Sequence, residues 1–189
     1  DEYTMLPKEY EVKVLFGFAT DTYDVMGLVE NISADGSNVS SEISTALEKF
    51  TGDFEQAYPP YSSRTVEGKP LFQWAREGRL GEIEIPKHKV HLESIEIKKV
   101  EEITKEKLHK YINSAIGSVK GDFRQEEILA KWEDVFSAES NSEYQVVTLT
   151  INCGSGTYVR SIANDLGNLL GVPALALHIK RTKIGDFKI

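Results

Sequence analysis

An α+β fold is predicted for this 189-residue chain by three observations. Strand-like and helix-like patterns are mixed along the sequence, the connections between them are short enough to favour antiparallel pairing, and no long apolar helix interrupts the order. The arrangement expected is a mixed, mostly antiparallel sheet flanked by helices.

Residues 9–18 alternate Tyr10, Val12, Val14 and Phe16 against Glu9, Glu11 and Lys13, which predicts a half-buried strand ending at Gly17. Thr20-Asp21-Thr22-Tyr23-Asp24 follows with turn chemistry, and residues 27–32 suit a short strand closed by Asp35-Gly36. The spacing of Ile43, Leu47 and Phe50 predicts a helix over residues 41–54, with Ser40 or Ser41 as cap. Residues 56–63 contain Pro59 and Pro60, which exclude helix and central strand. Residues 69–78 predict a short helix opening near Pro70 and stopping at Gly78. A long alternation over residues 88–100, with a phase break near Ser94, predicts a strand with a bulge.

Helical periodicity covers residues 104–116 and 126–136, with a loop between them at 117–124. Residues 144–153 are the strongest strand pattern in the chain. A glycine-containing turn at 154–157 leads into a helix over 158–170 that ends at Gly171. A last strand over residues 178–189, kinked at Gly185, completes the order.

Composition adds limits. The formal charge of −8 argues against long-range attraction of nucleic acid. Yet Arg64, Lys69, Arg76, Arg79, Lys87 and Lys89 form one basic group, and Lys180, Arg181, Lys183 and Lys188 a second. Local patches of this kind attract phosphate whatever the total. The single cysteine, Cys153, excludes an intrachain disulfide and reads as a small buried thiol in a reducing compartment. The start is polar and acidic, without a signal pattern, and a cytoplasmic, membrane-free protein is expected.

Two segments invite chemistry. In residues 153–167 a strand feeds a turn whose N–H groups open a helix, a geometry that can hold an anion. Arg160 sits in the first turn of that helix, where a cation opposes the dipole, so a carboxylate or phosphate partner would suit it; a surface arginine after a common glycine turn is the plainer alternative. Residues 56–78 alternate aromatics, prolines, hydroxyls and cations, which suits stacking on unpaired bases and gripping phosphate, or equally a loop packing its rings into the core. Phosphate-loop and dinucleotide fingerprints are missing, the four histidines lack zinc spacing, Asp21 and Asp24 lack a calcium-loop pattern, and Ser62 and Ser63 lack a nucleophile elbow.

Taken in order, the segments resemble the TruB family of tRNA pseudouridine synthases. The matching residues are Lys8-Glu9-Tyr10-Glu11-Val12, then Phe16-Gly17, Ala19-Thr20-Asp21-Thr22, Asp24 and Gly27. They continue with Gln56, Pro59, Tyr61-Ser62, Gly68-Lys69-Pro70-Leu71-Phe72, Ala75-Arg76 and Gly78. The last blocks are residues 156–163 with Asp165-Leu166-Gly167, and Lys180-Arg181-Thr182 with Ile184-Gly185.

The resemblance implies isomerisation of a T-loop uridine in tRNA, typically uridine 55, to pseudouridine, with no cofactor and no metal. It implies that the base flips out of the loop before reaction. Tyr10 resembles the tyrosine that stacks on the target base and helps deprotonate the new bonding carbon. Arg160 resembles the arginine that pairs with the catalytic aspartate. Tyr158 and Ile179 fall at the substrate pocket, Ile179 where the family usually has leucine. Tyr58, Pro59, Tyr61, Ser62, Arg64, Lys69, Arg76, Lys180 and Arg181 fall at the RNA-contacting positions.

Departures from the family pattern are also present. The family aspartate lies in a GTLDP-like loop tens of residues upstream of the tyrosine strand, and only nine residues precede Tyr10 here. Residues 1–189 are therefore expected to form one catalytic domain lacking its N-terminal part and any appended C-terminal RNA-binding domain. They are expected to be inactive alone, with an open sheet edge, and to need a separate or longer N-terminal piece that supplies the aspartate. Thr65 stands where lysine is frequent, and the proline pair is shifted to Pro59-Pro60. The alternative reading is a non-catalytic binder that remodels the tRNA T-loop.

Overall fold

The computed structural model describes residues 5–33, 39 and 41–189. Its centre is a six-stranded sheet in the order β10-β9-β1-β8-β7-β4, every neighbouring pair antiparallel. The strands are β1 (Lys8–Phe16), β4 (Gly52–Ala57), β7 (Lys87–Thr104), β8 (Glu143–Cys153), β9 (Ala174–Ile184) and β10 (Phe187–Lys188). Two small pairs, β2 (Phe18–Thr20) with β3 (Val29–Ile32) and β5 (Thr65–Val66) with β6 (Lys69–Pro70), sit outside it. One isolated parallel bridge joins Asp24 to Ala176. The α+β expectation holds.

Period-two alternation assigns the two faces. Val12, Val14 and Phe16 of β1 share one core with Val147, Leu149, Ile151 and Cys153 of β8. Helices α1 (Ile43–Glu48) and α5 (Val159–Leu170) cover this face through Ile43, Leu47, Ile162 and Leu166. Leu15, Val146, Leu175 and Leu177 point the other way, against α3 (Lys105–Gly117) and α4 (Gln125–Ala138). Trp132 of α4 anchors that second core among Phe18 and Phe136 rings. A buried aromatic of this size removes enough apolar surface from water to contribute roughly 2–3 kcal/mol.

Local signals explain most boundaries. Thr104 caps α3 by accepting from the Lys107 amide, and Gly171 closes α5 in the left-handed region at φ 69°. Helix α2 (Leu71–Arg76) starts after Pro70, and Gly78 follows at φ 68°. The break near Ser94 is a register shift between Leu92 and Ser94 against β8.

Two expectations need correction. The helix expected over residues 41–54 is only Ile43–Glu48, with no side-chain cap from Ser41; residues 52–57 are instead the edge strand β4. Gly52 turns the chain at φ 91°, and pairing with β7 outweighs the weak helical preference of so short a segment. The last strand begins at Ala174, not residue 178, because Ala174–Leu177 is buried against the end of β1. The expected Asp35-Gly36 turn and the alternative cap Ser40 lie outside the described residues.

Candidate active site

The site is organised by the link between β8 and α5. Gly154 donates its amide to the His91 carbonyl at 2.8 Å, and the Thr157 hydroxyl donates to the Gly154 carbonyl at 3.0 Å. Gln56, 1 % exposed, grips the end of the turn: its Nε2 donates to the Tyr158 carbonyl at 3.1 Å and its Oε1 accepts from the Tyr158 amide at 2.9 Å. Tyr158 then leads into α5, whose second residue is Arg160.

The Arg160 guanidinium lies over the Tyr158 ring, 5.5 Å from its centroid, and Nη2 donates to the Tyr61 carbonyl at 3.1 Å. Its Nε is buried without a hydrogen-bond partner. The side chain lines a cavity of about 510 Å³ together with Asp24, Tyr61, Phe72, Arg76 and Arg124. Burial pushes the Asp24 carboxyl above the ordinary carboxylate range, opposed by the Thr22 hydroxyl, the Arg160 charge and the Met26 amide. Arg124 Nη1 donates to Asp21 Oδ2 at 2.9 Å and stacks over Tyr61. Burial, with the nearby Asp21 charge, pushes the Tyr61 hydroxyl up to about 12. This wall therefore brings three guanidinium groups and the Asp24 carboxyl to one cavity, with Arg160 acting on Asp24 and Arg124 paired with Asp21.

Tyr10 opens onto a second concavity, of about 350 Å³, lined also by Lys8, residues 154–157, Arg181 and Ile184. Its ring packs partly against the first core, and its hydroxyl accepts from Arg181 Nε at 3.2 Å. The Arg181 guanidinium also lies 5.4 Å from the ring centroid. Tyr10 and Arg160 thus flank one turn but line different concavities.

The remaining expected residues divide. Tyr58 stacks on His88 with centroids 4.2 Å apart, and the guanidinium of exposed Arg64 lies over the Tyr58 ring, 5.1 Å from its centroid. Tyr61 and Arg76 share the cavity of Arg160. Pro59 is buried, and Ser62 is 3 % exposed with an unpartnered Oγ. Lys69 Nζ is held by Glu77 at 2.6 Å and sits over Trp74. Ile179 and Lys180 are exposed on β9 opposite Val12 and Glu11, outside both concavities. Sequence reading missed Arg124, whose partner Asp21 is 103 residues away, and His88; neither has periodicity or motif to mark it. Among the described residues no group of three or more His, Cys, Asp and Glu is placed to hold a metal ion, and no helix is long and apolar enough to cross a membrane.

Fold and site define an α+β domain with an arginine-rich cavity and a tyrosine-lined concavity on either side of a strand–turn–helix link. The pattern of the TruB family pseudouridylate synthase (N terminal domain) matches residues 1–121, and the chain belongs to the TruB family. Among curated relatives, the tRNA pseudouridine synthase B of Lactobacillus gasseri is 33 % identical over 186 residues, covering 97 % of this chain and 50 % of the relative. That of Ligilactobacillus salivarius is 30 % identical over 185 residues, covering 96 % and 48 %. The chain spans about half the length of the curated relatives it matches. A solved chain from the crystal structure of a Cbf5-Nop10-Gar1 complex aligns over 98 % of this chain and 33 % of its own length, at 16 % identity and a TM-score of 0.46.

Proposed function

We propose that this chain forms the body of a tRNA pseudouridine synthase acting on a T-loop uridine, with uridine 55 the expected target. The observation that carries the reading is the Arg160 guanidinium: half-buried at the wall of a cavity, with a buried Nε–H lacking an acceptor. A buried donor left unmatched costs about 1–3 kcal/mol, so its retention points to an anionic partner. A carboxylate from an upstream segment, outside residues 1–189, supplies that partner and is held ionised and oriented by the guanidinium.

In the proposed reaction this carboxylate starts cleavage of the bond between uracil N1 and the sugar. The freed uracil turns and rejoins the sugar through C5. The C5 proton is lost, with Tyr10 assisting, and N1 gains one, so atoms and electrons balance without an external oxidant or reductant. Tyr158, beneath the Arg160 guanidinium, flanks the base, and Ile179, exposed on β9 outside both concavities, meets the RNA beside it. Tyr58, Tyr61, Arg64, Lys69, Arg76, Lys180 and Arg181 form the RNA-facing surface, gripping phosphate and stacking on unpaired bases, while buried Pro59 and Ser62 shape the loop from beneath rather than touching RNA.

The test is tritium release from T-loop RNA labelled at uridine C5. Residues 1–189 alone are expected to release none, and the full-length gene product, or this chain joined to an aspartate-bearing N-terminal piece, to release it. No release from the completed protein would sink the synthase reading and leave T-loop binding. Replacing Lys180 and Arg181 with Gln should flatten the dependence of RNA affinity on salt by about one slope unit per lost phosphate contact.

A further inference from the structure

The turn at 154–157 lines the Tyr10 concavity and leads into the helix that carries Arg160, yet its own sequence does little to fix its height. Gly156 is in the left-handed region at φ 85°, and a Cβ built there would meet nothing within 4 Å. Beyond the Thr157 bond to the Gly154 carbonyl and the bond from the Gly154 amide to His91, the turn's restraints come from side chains of β4 and β7. Gln56 of β4 and His88 of β7 are direct cross-strand partners, and Gln56 clamps Tyr158 as described. His88 Nε2 lies 3.0 Å from the Gly156 carbonyl oxygen. A carbonyl can only accept, so Nε2 carries the ring proton in this contact. The ring is wedged in place. Tyr58 stacks on it at 27° between planes, Tyr158 meets it edge-on at 6.0 Å, and Nδ1 is buried without a partner.

We propose that His88 is a positioning residue of this site. Its Nε2–H to Gly156 carbonyl bond sets the turn that lines the Tyr10 concavity and launches the helix bearing Arg160. The assignment rests on the synthase reading for its kinetic consequence, but not for its geometry. His88 reaches neither concavity itself, so it acts through the turn.

The test compares His88→Phe, which keeps a flat ring and loses the donor, with His88→Gln, which keeps an N–H at similar reach and loses the ring. Both are made in the full-length protein and assayed on T-loop RNA. His88→Phe should slow single-turnover isomerisation by about tenfold or more while RNA affinity stays within about twofold, because misplacing reactive groups costs rate before binding. His88→Gln should recover most of the rate. A wild-type rate in His88→Phe, equal losses in both variants, or a rate loss matched by lost affinity would overturn the proposal. Nitrogen-detected NMR of the same protein supplies a readout that needs no turnover. It should show the Nε2–H tautomer, with Gly156 and Thr157 amide signals displaced in His88→Phe and restored in His88→Gln. An Nδ1–H tautomer, or turn signals indifferent to the substitution, refutes the positioning role; inactivity of wild type with these spectra intact refutes only the synthase reading.

Discussion

The concavity at Tyr10 is walled by neighbouring strands and the turn that follows one of them, whereas the cavity at Arg160 is walled by loops. The first takes Lys8 and Tyr10 from β1, Arg181 and Ile184 from β9, and residues 154–157. The second draws Thr22, Asp24 and Met26 from the turn between β2 and β3, Tyr61 and Ser63 from the proline loop, Arg76 from α2, and Arg124 from the loop between α3 and α4. Strand partners are fixed by a ladder of backbone bonds, so the Tyr10 side inherits the rigidity of the sheet. The loop-built side is held by side-chain contacts instead: Arg124 on Asp21 and Arg160 on the Tyr61 carbonyl. Charge follows the same division, since the loop-built cavity alone encloses a carboxyl whose proton affinity burial has raised.

Substitutions can break this comparison at several points. Arg160→Ala should have the largest effect, lowering isomerisation by the completed enzyme by about 10³-fold while RNA affinity changes little, as loss of a preorganised charge-stabilising donor does. If single-turnover measurements show activity surviving, the loop-built cavity is not where the carboxylate is held. Tyr10→Phe should cost about 10²-fold if the hydroxyl assists proton removal. A rate near wild type would leave Tyr10 as a stacking ring only, since Phe preserves the aromatic face.

Gly167→Ala tests how far the two halves depend on one helix. A methyl at Gly167 would lie 2.6 Å from the Val172 carbonyl oxygen and 2.7 Å from the Ala174 Cβ, forcing α5 away from β9. Denaturant titration should show a loss of about 1–3 kcal/mol, and turnover should fall with it. Stability unchanged would mean that α5 can shift freely.

The smallest expected effect is electrostatic. Because Asp24 has a higher proton affinity folded than unfolded, its contribution to stability is greatest below the ordinary carboxylate range. That contribution declines as pH rises through its folded-state value. Asp24→Asn should remove this part of the slope in denaturation curves taken across mildly acidic pH. An unchanged slope would mean that the carboxyl is better hydrated than its burial implies.

Much of this molecule is legible in its residues. The alternation of β1 and β8 marks which side chains face the first core, Thr104 and Gly171 mark helix ends, and the phase break at Ser94 marks a real register shift. The opposition of the Arg160 charge to its helix dipole likewise flags an arginine with unmet hydrogen-bonding demand. These signals are local, repeating over a few residues with the period of the backbone that bears them. By contrast, β4 could not be separated from the helix before it, because its strand state comes from pairing with distant β7, Gly52 opposite Leu92 and Ala57 opposite Lys87.

Sequence alone determined the order of the longer elements, the faces that pack and the family pattern with its tyrosine and arginine. The tertiary structure decided that those two side chains open onto separate concavities, that Arg124 reaches Asp21, and that His88 touches the Gly156 carbonyl. Such contacts join single residues from distant segments, and no periodicity in the chain encodes a meeting that only the closing of the sheet and loops brings about.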